Sequence, residues 1–118
     1  MTGEAAAGRL ALVSISGPER VSLDLTGDEP LTLGRRAGHS LELTGDDRVS
    51  RDHARFEPDP AARAAGRWLL TDTGSKHGTW LNGLQIARDR PTPVSVGDIV
   101  VISPWTFRIV DRDQSDDV

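Results

Sequence analysis

Cysteine is missing from this 118-residue chain, which excludes a disulfide framework, a thiol nucleophile and any cysteine-ligated zinc site. Long apolar runs are missing too. Nothing approaches the roughly 18 consecutive apolar residues that cross a bilayer, and the opening MTGEAAAGRL has no basic start followed by an apolar stretch. The expectation is a chain that neither inserts in a membrane nor carries a secretion signal, located in the cytoplasm. Lysine occurs once against thirteen arginines, a bias that fits GC-rich coding as well as any functional demand. Excess charge of one sign is small: the net charge is −4, with residues 1–30 and 111–118 each at −3 and residues 31–110 at +2. That basic excess falls short of the clustered phosphate contacts a nucleic-acid binder needs, so no nucleic-acid partner is expected. A small anionic ligand stays open.

The usual catalytic signatures are also lacking. No G-x-S-x-G elbow surrounds a serine, and no glycine run ends in Gly-Lys followed by Ser or Thr. His39, His53 and His77 show no H-x3–5-H spacing, so a metal site is not expected. Ser50, Asp52 and His53 invite a hydrolase reading, but residues so close on one loop rarely reach the geometry in which a base contacts the nucleophile and is itself oriented. The chain reads as a non-enzyme without a cofactor.

What is present is a globular balance, 36% hydrophobic and 27% charged, in a length suited to one core. The apolar residues alternate in short runs. Val21, Leu23 and Leu25 do so, as do Leu31 with Leu33, Leu41 with Leu43, Val94 with Val96, and Trp105 and Phe107 with Ile109. This is the period of half-buried strands. Turn chemistry separates the runs at SGPE (16–19), TGDE (26–29), Asn82-Gly83 and Val96-Gly97-Asp98. Asn82-Gly83, between Trp80-Leu81 and Leu84-Gln85-Ile86, is a hairpin signal. IVVI at 99–102 reads as a strand buried on both faces, and the three tryptophans read as core. The alanine-rich PDPAARAAG at 58–66 has no strand period and reads as a hairpin loop with room for one helical turn. Turn signals every eight to twelve residues point to an all-β sandwich or barrel, with flexible tails expected at 1–7 and 113–118.

Three polar loops interrupt this pattern. One follows Leu31–Leu33 with Gly34-Arg35-Arg36, the second is DDRVSRDHAR at 46–55, and the third is DTGSKHGTW at 72–80. Brought to one end of a sandwich, they cluster the donors of Arg35, Arg36, Arg48, Ser50, Arg51, His53, Ser75, Lys76, His77 and Thr79. Such a cluster suits a phosphate, which offers three acceptor oxygens and close to two negative charges.

The segments LGRRAGHSLEL, VSRDHARF, LTDTGSKHGTWLNG and VSVGDIVVI resemble the forkhead-associated (FHA) domain, from about Leu31 to Ile109. Its GR, SxxH, GT and NG elements occur here in the family's order and spacing. The resemblance, in keeping with the turn spacing, implies an all-β sandwich of about eleven short, mostly antiparallel strands over residues 8–112 that recognises phosphothreonine peptides, with Arg35 and Ser50 on the phosphate. Arg51, and Lys76 where the family usually has Ser or Thr, fall at positions that add contacts to phosphate or peptide. His53 braces the loop, while Gly34 and Gly78 allow close backbone turns. Asn82 sits near the peptide or braces its own loop. One position departs from the family: His77 stands where Asn commonly bonds the peptide backbone, and imidazole can also donate and accept. The implied partner is a phosphothreonine-containing protein or a Ser/Thr kinase, in a bacterial Ser/Thr-kinase pathway. The alternative is a constitutive interaction module of the same fold, for which the trio Arg35, Ser50 and Arg51 would be unnecessary.

Overall fold

The structure, a computed structural model, describes residues 9–62 and 66–113. Eleven strands form in chain order: β1 (Leu10–Ser16), β2 (Ser22–Asp24), β3 (Leu31–Gly34), β4 (Leu41–Glu42), β5 (Ala54–Pro58), β6 (Trp68–Asp72), β7 (Trp80–Leu81), β8 (Leu84–Gln85), β9 (Thr92–Val94), β10 (Ile99–Ile102) and β11 (Trp105–Asp111). One sheet runs β2-β1-β11-β10-β7-β8 and the other β4-β3-β5-β6-β9. All pairings within the sheets are antiparallel except β3 with β4. The two sheets bury their alternating apolar residues against each other: Leu12, Val100, Phe107 and Ile109 come from the first, Leu33, Phe56, Leu70 and Val94 from the second. Each such side chain taken out of water contributes about 1.5–3 kcal/mol toward closing the sandwich. The expected all-β sandwich is the observed fold.

The first and last strands lie side by side, with Leu10 opposite Asp111 and Leu12 opposite Ile109. Asp113, assigned above to the tail, pairs with Arg9 at 2.7 Å. Apart from Asp113, the tails expected at 1–7 and 113–118 lie outside the described residues. The Asn82-Gly83 hairpin forms as read, because both residues adopt positive φ, 52° and 86°, the geometry that matches the twist of two paired strands. In the loop from Asp59 to Arg67, Ala62 N–H donates to the Asp59 carbonyl at 3.0 Å, one turn, and Asp59 N–H donates to the Arg67 carbonyl at 2.9 Å. This closes the β5–β6 hairpin; residues 63–65 lie outside the description.

Some expectations are corrected. IVVI is not buried on both faces: Val100 and Ile102 are buried, whereas Ile99 and Val101, on the opposite face of the same interior strand, are only partly buried. Of the tryptophans, Trp68 and Trp105 are core, but Trp80 lies on a two-residue strand near the sheet edge and is half-exposed. Val96 lies past the end of β9 and is exposed, so its alternation with Val94 is not a strand face.

What matters for function is the end at which three strands meet. Leu33 of β3 pairs with Ala54 of β5, and Ala54 pairs with Asp72 of β6. Because the three strands are antiparallel, β3 ends, β5 begins and β6 ends at one edge. The three polar loops leave the sheet there.

Candidate functional site

Arg35 is the first residue after β3. Its backbone N–H donates to the Ser50 carbonyl at 2.9 Å, and that of Arg36 to the Arg51 carbonyl at 3.2 Å. The first and second loops are thus tied by main-chain bonds, which requires close approach. A side chain at Gly34 would run into the Arg51 carbonyl oxygen and the His39 ring. The glycine is needed for space, since its φ is not in the left-handed region.

The Arg35 side chain is about one-third exposed, with 34% of its surface open, and its Nε donates to the Val49 carbonyl at 2.9 Å. With Nε held, the two terminal nitrogens point outward as a fork. Ser50 Oγ accepts from the Lys76 backbone N–H at 2.9 Å, which ties the third loop to the second. An oxygen that already accepts keeps its own proton to give.

His53 is buried, 1% exposed, and locks the same corner. Its Nδ1 accepts from the Ser50 backbone N–H at 3.0 Å, so the ring proton sits on Nε2 and donates to the Gly78 carbonyl at 2.9 Å. Burial pushes its pKa below the ordinary histidine value, outweighing the bond to Gly78 that favours the charged ring. His53 therefore contacts the backbone of Ser50 and not its hydroxyl, which leaves no base on Ser50 Oγ. Gly78 carries a φ of 93°, and a Cβ there would lie 2.6 Å from Gln85 Nε2.

Beneath the third loop lies Asp72, 0% exposed. Its Oδ1 accepts from the backbone N–H groups of Gly74 and Ser75 at 2.8 and 2.7 Å, and its Oδ2 from the hydroxyls of Ser75 and Thr79 at 2.6 and 2.8 Å. Burial alone would raise its pKa, but these four bonds together hold it below the usual carboxylate value. Arg88 Nε donates to the Ser75 carbonyl at 2.9 Å and steadies the loop from the far side.

The outcome is an open pocket of about 550 Å³ whose lining includes Arg35, Arg36, Ser50, Arg51 and Lys76, with Asp47 and Asp52 beside them. Arg36 and His39 both engage Asp52, at 3.3 and 3.0 Å. Arg51 and Lys76 are exposed and have no acidic partner among the described residues. The structure thus brings Arg35, Ser50, Arg51 and Lys76 together. Two of the site residues read from the sequence stand apart from the pocket lining. His77 is exposed on the third loop, and Asn82 spends its side chain on Asp98 and on the Ile99 N–H at 3.1 and 2.9 Å. Asp47, Asp72 and Arg88 were not singled out from the sequence, and His39 was weighed only as a metal ligand. Only Asp72 had a local signal, the D-T-G-S order of an Asx turn.

Comparison with known proteins agrees with this geometry. The sequence pattern of the FHA domain matches residues 31–103. An FHA domain-containing protein of Arabidopsis thaliana is 28% identical over 102 residues, 86% of this chain, which spans 25% of that protein's length. The solution structure of the FHA domain of an Arabidopsis thaliana hypothetical protein superposes with a TM-score of 0.77 at 24% identity, over 100% of this chain and 99% of that one. The N-terminal FHA domain of S. cerevisiae Rad53p, solved in complex with a phosphothreonine peptide, gives 0.74 at 22% identity, over 89% and 94% of the two chains. With the pattern running from the start of β3 through β10 and the sandwich continuing on either side, the chain belongs to the FHA domain family.

Proposed function

We propose that this domain docks a phosphothreonine segment of a partner protein and performs no catalysis. The observation that carries the reading is the convergence of Arg35, Ser50, Arg51 and Lys76 on one open pocket, with the Ser50 hydroxyl oriented by the Lys76 N–H to donate. A phosphothreonine brings about −1.5 to −2 charges and three strong acceptor oxygens. The Arg35 fork takes two oxygens, the Ser50 hydroxyl a third contact, and Arg51 and Lys76 supply long, mobile cations at the rim. Each charge-assisted bond contributes roughly 1.5–3 kcal/mol, enough in sum to separate a phosphorylated segment from a plain one. The phosphothreonine peptide of the Rad53p domain supports the choice of ligand. The phosphate comes from a Ser/Thr protein kinase, which is itself the partner or modifies a third protein, and the assembly forms in the cytoplasm of a bacterium. His77 meets the peptide backbone outside the phosphate pocket.

The test is calorimetric titration with matched phosphorylated and plain peptides drawn from an oriented phosphothreonine library. Binding confined to the phosphorylated member is the expected result. Equal affinity for both overturns the reading and makes the domain a constitutive interaction module.

A further inference from the structure

The carboxylates of the second loop are not equivalent. Asp46 is consumed locally: Arg48 donates to it from Nε, a terminal nitrogen and its backbone N–H, at 2.9, 2.8 and 2.9 Å, and these bonds hold the Asp46 pKa down to about 2. Asp52 is taken by Arg36 and His39, at 3.3 and 3.0 Å. Asp47 is different. Its side chain is 99% exposed, it lines the phosphate pocket, and its nearest cation is the Arg35 guanidinium at 4.0 Å, the limit of an ion pair. A fully solvated carboxylate, only loosely paired, therefore stands beside the Arg35 guanidinium.

We infer that Asp47 is a specificity-determining residue that makes the pocket select phosphothreonine segments carrying a lysine or arginine near the phosphate. The inference rests on the phosphothreonine reading above. Two effects act together. Asp47 repels the incoming dianion, which penalises segments that bring no compensating cation. It also pairs with a cation that arrives on the same segment, which removes that penalty and adds an attraction. Residues along an extended peptide advance about 3.3–3.6 Å each, so a basic side chain within about three positions of the phosphothreonine reaches a carboxylate lying next to Arg35. Acidic flanks meet the opposite fate, since they add like charge against Asp47. The charge left in the pocket is thus a filter on the partner's sequence as well as on its phosphorylation.

The test uses short alanine-rich phosphothreonine peptides with Lys, Ala or Glu placed in turn at each position flanking the phosphate. They and the unphosphorylated twin of the all-alanine peptide are titrated into the intact chain and into Asp47→Asn and Asp47→Lys variants. At a separation near 6 Å in water, the repulsion of a dianion by one carboxylate corresponds to roughly tenfold in affinity. Asp47→Asn should therefore bind the all-alanine phosphopeptide roughly three- to tenfold more tightly, and the lysine preference of the parent should vanish. Asp47→Lys should invert the preference toward glutamate. The side chain is solvated, so folding is not at stake in either variant. A parent that shows no lysine preference at any flanking position overturns the inference, as does a preference that survives in Asp47→Asn. If the parent binds no phosphopeptide better than its plain twin, the phosphothreonine reading itself fails. The two failures are thus told apart by the all-alanine peptides.

Discussion

Removing the Arg35 guanidinium should cost the domain far more binding than folding. Its Nε holds the Val49 carbonyl at 2.9 Å, and among the described residues the acidic partner of its terminal nitrogens is Asp47 at 4.0 Å. Arg35→Ala therefore deletes one modest intramolecular bond and the two donors offered to phosphate. The first loss costs about 1 kcal/mol of stability, or some 4–8 °C in melting temperature for a domain near 100 residues. The second removes two charge-assisted bonds. After water takes over the abandoned oxygens, the net cost is roughly 2–4 kcal/mol, about 30- to 700-fold in affinity. Arg35→Lys keeps the charge but cannot hold Val49 and present a fork at once, so it should recover only part of the loss. Titration calorimetry with a phosphothreonine peptide gives the affinity, and circular dichroism melts give the stability of the same samples. A variant that folds yet binds within about threefold of the parent would sink the pocket assignment.

The bracing residues make separate predictions. Asp72→Asn replaces an oxygen that accepts from Ser75 and Thr79 with a donor, and should cost roughly 2–4 kcal/mol in urea unfolding; a loss under about 1 kcal/mol would contradict the four-bond geometry. The depressed His53 pKa means that the folded domain keeps this ring neutral while the unfolded chain takes up a proton below pH 6.5. Stability contributed there is complete above that pH and is lost as pH falls toward the folded pKa. Melts between pH 7 and pH 5 without peptide should decline, and His53→Gln should flatten the decline even though it lowers the starting point; an equal slope in both would remove His53 as the cause. Asp72 acts in a lower window, its contribution being present above its unfolded value of 3.8 and lost as pH falls through its depressed folded value. Thr71, 1% exposed, carries the one buried side-chain polar atom without a partner among the described residues. Thr71→Val keeps the shape and removes the stranded hydroxyl, and should raise the unfolding free energy by about 1 kcal/mol in the same denaturation assay.

Much of the fold was legible because a strand's side chains alternate and its turns demand particular residues. Leu31 with Leu33, Trp105 and Phe107 with Ile109, and the positive φ pair at Asn82-Gly83 each follow from local rules. The parallel pairing of β3 with β4 was not legible, since two short strands joined by six residues carry no signal of their relative direction. Nor was the half-exposure of Ile99 and Val101: an all-apolar run looks the same whether one face or two are covered. At the site, the cations could be picked out one by one. Their supports could not, because Arg88 reaches the Ser75 carbonyl from thirteen residues away and His39 reaches the Arg51 carbonyl, at 2.7 Å, from twelve. Such partners are chosen by the tertiary fold, and the linear sequence does not announce them.

A loop-built pocket that places several cations side by side needs its main chain fixed by other bonds. Bringing Arg35, Arg51 and Lys76 together is unfavourable in itself, and free loops would spread them apart. Here the main chain has already been fixed by bonds that use no pocket charge: Arg35 N–H to Ser50, Arg36 N–H to Arg51, Lys76 N–H to Ser50 Oγ, and His53 between Ser50 and Gly78. The ordering cost falls on folding, where the buried Asp72 and His53 networks offset it, so the proposed phosphate ligand would meet loops already arranged. The same economy sets a limit on change. Substitutions at the exposed rim, such as Arg51, Lys76 or Asp47, retune the ligand while the fold stands, whereas substitutions at Gly34, His53 or Asp72 loosen all three loops together. Affinity at this corner is thus governed by two groups of residues that fail differently, and measuring binding and unfolding on one set of variants assigns each residue to its group.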